Sequence, residues 1–254
     1  MKWLAALLLL AAAPAGAQAL FNPFGEATIA ERPGARLPVD LAFTGADGRP
    51  LTLRRAGGGK PILLAPVLHD CPNLCGVTLG GLAQAIAALP PAGRDVAVVA
   101  FGIDPKEKSA AAAADLARLR ATPDGRALAS VTAMVGAEPA IRRVTDTLGY
   151  RYAWDPRIGQ YAHVAATAVL TPDGRLSSWL YGITPDPADL AAALAAARAE
   201  RTGSWTDRLL LLCYHYDPAT GRYTPAIETM LRAAATLTVA GLALLAWRLR
   251  SARA

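Results

Sequence analysis

A chain of 254 residues that is 53% hydrophobic leaves, between two apolar termini, roughly 200 residues, ample for one domain with a real core. Its formal charge of +6 gathers at the ends: without Lys2, Arg248, Arg250 and Arg253 only about two net positive charges remain. That balance, with no Lys/Arg run interleaved with aromatics, argues against a nucleic-acid footprint, and three cysteines cannot complete a disulfide framework.

The N-terminus has one cation at Lys2, an apolar run from Trp3 to Ala13, a break at Pro14 and small residues at Ala15, Gly16, Ala17 and Ala19. An apolar core of about 11 residues is too short to span a bilayer that needs ~20, so the pattern is a signal peptide cleaved after Ala17 or Ala19. Leu20 to Gly59 is rich in Pro and Gly, with one strand candidate at Leu51-Thr52-Leu53. Gly57-Gly58-Gly59-Lys60 resembles the start of a phosphate loop, but Pro61 stands where Ser/Thr is needed and a strand follows, so it is a loop.

The spacing then predicts a strand over Ile62–Leu68, a helix over Leu79–Leu89, a strand over Val96–Ile103 and a helix from Ser109, capped by Ser109, to Arg120. Ser130–Val135 reads as a further strand and Pro139–Leu148 as a helix with proline in its first turn. After Tyr150–Trp154, strands Val164–Leu170 and Leu176–Tyr181 are joined by a Pro172-Asp173-Gly174 turn, and a helix capped at Asp186-Pro187 runs to about Arg201. A βαβ half followed by a ββα half is the order of a thioredoxin-like α/β fold.

Leu231–Leu249 is apolar apart from Arg232 and Arg248, about 19 residues against the ~20 a span requires. Arg248, Arg250 and Arg253 follow the positive-inside rule, so the expected topology is single-pass in a bacterial inner membrane, with the domain facing the periplasm. The reading divides the chain into signal peptide (1–19), N-terminal extension (20–57), thioredoxin-like domain (58–203), membrane-proximal segment (204–228), transmembrane helix (229–249) and cytoplasmic tail (250–254).

Cys71-Pro72-Asn73-Leu74-Cys75 falls between the first long strand and its helix. A helix N-terminus lowers thiol pKa and favours the thiolate, which either binds metal or attacks a disulfide. Of three histidines, His163 sits where a thioredoxin-like fold brings its loop against the cysteine turn. Two thiolates and an imidazole suit Cu(I), and a fourth donor would admit Cu(II) or zinc. From the residues alone His163 keeps two readings, ligand or packing residue. His69 and Asp70 flank the turn, and His69 has the same two readings. Cys213 and His215 lie two apart, on one face if the segment is a strand, and form either a second metal site or a buried thiol in an aromatic packing strand.

Gly59-Lys60-Pro61, Cys71-Pro72-Asn73-Leu74-Cys75, Ile103-Asp104-Pro105, His163 and Leu170-Thr171-Pro172-Asp173-Gly174-Arg175 together resemble the Sco/SenC family of copper-handling proteins that assist assembly of the binuclear copper centre of cytochrome c oxidase. Leu212-Cys213-Tyr214-His215-Tyr216-Asp217-Pro218-Ala219-Thr220-Gly221-Arg222-Tyr223 resembles a subgroup with a C-terminal membrane anchor. The resemblance implies copper ligands Cys71, Cys75 and His163, a reversible Cys71–Cys75 disulfide, and delivery of copper to oxidase subunit II. A periplasmic thiol reductant or copper donor would act beside it. Two alternatives use the same residues: a thiol:disulfide reductase that keeps the oxidase cysteines reduced, and a copper or redox sensor. Gly76 stands where many members have proline, and Ala162 where many have an acidic residue before the histidine, which removes one partner able to orient the imidazole.

Overall fold

In the computed structural model, residues 23–70, 75–128, 130–203, 216–217, 222–223, 236, 238 and 251 are described. Behind a short helix α1 (Pro23–Glu26), strands β1 (Phe43–Gly45) and β2 (Pro50–Leu51) pair as a hairpin, and helix α2 (Leu53–Gly57) follows. The strand expected over Leu51–Leu53 is therefore cut short. Thr52 accepts the Arg55 N–H at 3.2 Å as a helix N-cap, and left-handed Gly58 closes the turn.

The chain then gives β3 (Ile62–Val67), α3 (Cys75–Ala87), β4 (Ala97–Gly102), α4 (Ser109–Ala121), a short α5 (Pro123–Ala127), β5 (Val131–Val135) and α6 (Glu138–Leu148). Helix α4 begins at Ser109 with Lys108 at the cap position, so Ser109 starts the helix without capping it. Two three-residue strands, β6 (Ala153–Asp155) and β7 (Gln160–Ala162), precede β8 (Ala166–Leu170), β9 (Leu176–Tyr181) and α7 (Pro187–Arg198). A separate two-stranded piece pairs β10 (Tyr216–Asp217) with β11 (Arg222–Tyr223).

Seven strands form one sheet in the order β2-β1-β5-β4-β3-β8-β9. The β3–β4 and β4–β5 pairs are parallel, as crossovers through α3 and α4 require, whereas β8 runs antiparallel to both β3 and β9. Every residue of β3, β4 and β8 is buried, so both faces of the sheet are covered. Leu63, Leu64, Val99, Phe101 and Val169 at the centre are each fully enclosed, at roughly 1.5–3 kcal/mol of burial apiece. The expected βαβ and ββα halves are both present, and the Thr171–Arg175 turn closes with Thr171 N–H on Arg175 O at 2.9 Å and Gly174 at φ 81.

Two details open the sheet at one end. Pro66 lies in β3 and has no amide N–H, and the β3–β8 ladder, from Ile62–Leu170 to Leu64–Ala168, stops before it. Beyond Leu64 the strands share no further pairs, and the carboxyl end of β3 leads into the cysteine turn.

No helix among the described residues is long and apolar enough to cross a membrane. The expected span 229–249 lies, apart from Thr236 and Thr238, outside the described residues, as does the expected signal peptide 1–19.

Candidate functional site

Cys75 is the first residue of α3, which places it at the helix N-terminus the sequence pattern indicated. Cys71, Cys213 and His215 lie outside the described residues, and nothing is described of the Cys75 side chain. Among the described residues no group of three or more histidine, cysteine, aspartate or glutamate side chains is arranged to hold a metal.

His163 occupies the link between β7 and β8. The link leads into β8, which pairs with β3, the strand that runs on toward the cysteine turn. The His163 imidazole is half-buried, and Nδ1 stands 3.1 Å from the Tyr150 hydroxyl and 3.4 Å from Val164 O. Tyr150 donates its single O–H proton to Val164 O at 2.8 Å, so its oxygen is left to accept. A carbonyl accepts as well. Both neighbours of Nδ1 therefore call for a proton there, and the neutral ring carries its lone pair on Nε2, the nitrogen suited to a metal. Burial holds the His163 pKa below the ordinary histidine value, opposed by the Val164 carbonyl, which keeps the ring neutral and able to coordinate into mildly acidic solution.

Tyr150 is the orienting group that sequence reasoning missed. It follows Gly149, whose left-handed backbone at φ 71 ends α6, and its N–H donates to Thr145 O at 2.8 Å. The ring is 1% exposed and stacks on Trp179 of β9 with centroids 5.7 Å apart. Only a glycine just before it, closing a helix, marks the position in the sequence. The absence of an acidic neighbour at Ala162 is thus made good by a residue 13 positions away.

A set of aromatic contacts continues from there. Tyr152 meets Tyr161 edge-on at 5.3 Å, and Tyr161 meets Trp154 at the same distance, which fixes the β6–β7 hairpin that leads into His163. Lys106 lies over Trp154 at 5.1 Å, and Trp154 is 42% exposed.

His69 has a different environment. Its ring is 1% exposed, with Nδ1 2.9 Å from Asp115 Oδ2 and Nε2 3.1 Å from Met134 O. A carboxylate and a carbonyl thus occupy the two ring nitrogens of His69, one at each. The ring reaches β5 by crossing β4 at Gly102, where a Cβ would stand 3.0 Å from both His69 Cδ2 and Met134 O, so only glycine fits. With both ring nitrogens engaged by the protein, this geometry favours the packing reading of His69 over the ligand reading.

The main chain at the same end of β3 is also held. Arg118 Nη2 donates to His69 O at 2.9 Å and to Asp115 Oδ1 at 3.3 Å, and Asp70 N–H donates to Glu107 Oε1 at 2.8 Å. Burial pushes the Glu107 carboxyl pKa up, partly opposed by that Asp70 N–H.

No curated protein matches the chain. Among solved structures, a putative electron transfer protein from Aquifex aeolicus is similar at 23% identity over 65% of this chain and 94% of its own, with a TM-score of 0.54. BsSco, a member of the Sco family of cytochrome c oxidase assembly proteins studied for a disulfide switch, is 18% identical over 66% of this chain and 96% of its own, with a TM-score of 0.52. Copper-bound ScoI from Arabidopsis thaliana is 17% identical over 66% and 98%, with a TM-score of 0.50. At these identities the structures establish the shared fold. The family model for SCO1/SenC matches residues 30–199, which is more than half of the sequence, and the chain belongs to that family.

Proposed function

We propose that this protein carries copper as cargo, holding Cu(I) between Cys71, Cys75 and His163 Nε2, and delivers it to subunit II of a haem-copper oxidase during assembly of the binuclear copper centre. The observation that carries the reading is the Tyr150–His163 contact, which fixes the tautomer a metal needs. The donor set fits: two soft thiolates with one neutral imidazole favour Cu(I), and the N-terminus of α3 at Cys75 favours the thiolate. Family membership supports the same conclusion, as does the copper bound to Arabidopsis thaliana ScoI, a protein of the same fold.

Release would proceed by exchange, incoming thiolates of the acceptor displacing Cys71 and Cys75 in turn. In this proposal the signal peptide exports the domain and the 229–249 segment anchors it with the arginine tail in the cytosol, which supports delivery at the periplasmic face. The test is competition titration of the reduced protein, purified anaerobically, against a Cu(I) chelator. Cys71→Ser, Cys75→Ser and His163→Ala each should weaken binding at least tenfold, and unchanged affinity in all three rejects the site. Cys213→Ser should retain one equivalent of copper.

A further inference from the structure

Glu107 lies three residues past Asp104, on the segment between β4 and α4, yet its side chain reaches the far end of β3. Oε1 accepts the Asp70 N–H at 2.8 Å, and Oε2 is buried with no hydrogen-bond partner among the described residues. Burying half of a carboxylate with one oxygen unsatisfied costs stability, and residues kept at such a cost commonly serve a site. The segment that carries Glu107 is itself fixed: Lys106 N–H donates to Asp104 Oδ1 at 2.8 Å, and Glu107 N–H donates to Asp104 O at 3.2 Å.

On the other side of the same two residues, Arg118 holds His69 O at 2.9 Å, and Asp115 and Met134 O hold the His69 ring. The last pair of the β3–β8 ladder is Leu64–Ala168, so at Asp70 the chain has passed beyond that side of the sheet's support. The Asp70 amide is the final main-chain group before Cys71, and it is Glu107 that fixes it.

From this geometry we infer that Glu107 is a positioning residue for Cys71, acting as the hydrogen-bond acceptor that sets the direction in which the chain leaves β3 for the cysteine turn. The inference rests on the reading of Cys71 and Cys75 as the working pair. Holding one donor atom in place before copper arrives removes an ordering cost that a loosely held turn would have to meet on binding.

The test uses the full-length, reduced protein in detergent and three readouts: Cu(I) affinity against a chelator, thermal unfolding, and the equilibrium of the Cys71–Cys75 disulfide with glutathione. Glu107→Ala should raise the Cu(I) Kd at least tenfold. Glu107→Gln retains an amide oxygen for the Asp70 N–H and should stay within threefold of wild type. A merely structural role would lower the unfolding temperature of Glu107→Ala and leave the Kd of the folded protein unchanged, and that result overturns the inference. So does a tenfold loss in Glu107→Gln, an arm that decides the matter even where Glu107→Ala does not fold. If wild type itself binds no Cu(I), the copper reading falls alone, and the clamp is judged on the disulfide. Glu107→Ala should then shift that equilibrium at least tenfold toward the dithiol, because a loosened Cys71 meets Cys75 less often, and an unchanged constant overturns it.

Discussion

His69, in the turn that follows β3, and His163, in the link before β8, are both in contact with protein hydrogen-bonding groups, yet those groups are placed differently around the two rings. His69 has one protein group at each ring nitrogen, a carboxylate at 2.9 Å and a carbonyl at 3.1 Å. Of the contacts described for His163, the Tyr150 hydroxyl and Val164 O both lie at Nδ1. Burial follows the same division: His69 is enclosed, and His163 is half-buried beside the cysteine end of the sheet.

The largest expected effect breaks the two apart by stability. His69→Ala would leave Asp115, 2% exposed, buried with only the Arg118 contact at 3.3 Å, and should cost about 3 kcal/mol by urea unfolding, in the range for removing one partner of a buried pair. His163→Ala should cost less, about 1 kcal/mol in the metal-free protein, since the position is half-buried and the contacts described at Nδ1 are 3.1 and 3.4 Å long. Equal losses would mean that the two histidines are not functionally divided.

Copper affinity should reverse that ranking. With His163→Ala at least tenfold weaker, His69→Gln, in protein that remains folded, should bind Cu(I) within threefold of wild type. A tenfold loss on His69→Gln would restore His69 as a candidate ligand.

Tyr150→Phe sharpens the comparison further, because it removes the hydroxyl 3.1 Å from Nδ1 and keeps Val164 O at 3.4 Å. The Cu(I) Kd should rise roughly tenfold, the lower end of what an orienting partner contributes. Imidazole nitrogen NMR should show the Nδ1–H tautomer dominant in wild type and mixed in the variant. A variant that keeps both the affinity and the tautomer would remove Tyr150 from the site.

The smallest effect is a pH slope. His163 has a folded pKa below its unfolded value of about 6.5, so between the two the unfolded chain binds more protons than the folded one. Stability of the metal-free protein should therefore fall as pH drops from about 6.5 toward the folded pKa, and be insensitive to this group above 6.5. His163→Gln should flatten that part of the profile. A slope that survives the substitution would assign it to another group.

Much of the framework was legible in the chain itself. Ile62–Val67 and Ala97–Gly102 are short unbroken apolar runs between turn residues, Thr171–Arg175 is a turn by composition, and the helix expected over Leu79–Leu89 is present, although it starts four residues earlier, at Cys75, and ends at Ala87. These are local properties, set by backbone preferences and by which residues can enter a core. The β6–β7 hairpin was not legible, since three-residue strands carry no periodicity. Its register depends on Tyr161 meeting both Tyr152 and Trp154, and on Asp155 and Arg157 pairing at 2.9 Å across the turn.

The amino-acid sequence by itself determined the order of strands and helices, the position of the cysteines at a strand-to-helix turn, and a short list of metal donors, because each depends on neighbours within a few positions. Only the tertiary structure showed which groups stand at the ring nitrogens of each histidine on that list. His69 meets partners 46 and 65 positions away, and His163 meets Tyr150 across 13. The protonation of an imidazole is set by the donors and acceptors that folding brings to each nitrogen, and those arrive from strands and helices whose adjacency no local pattern encodes.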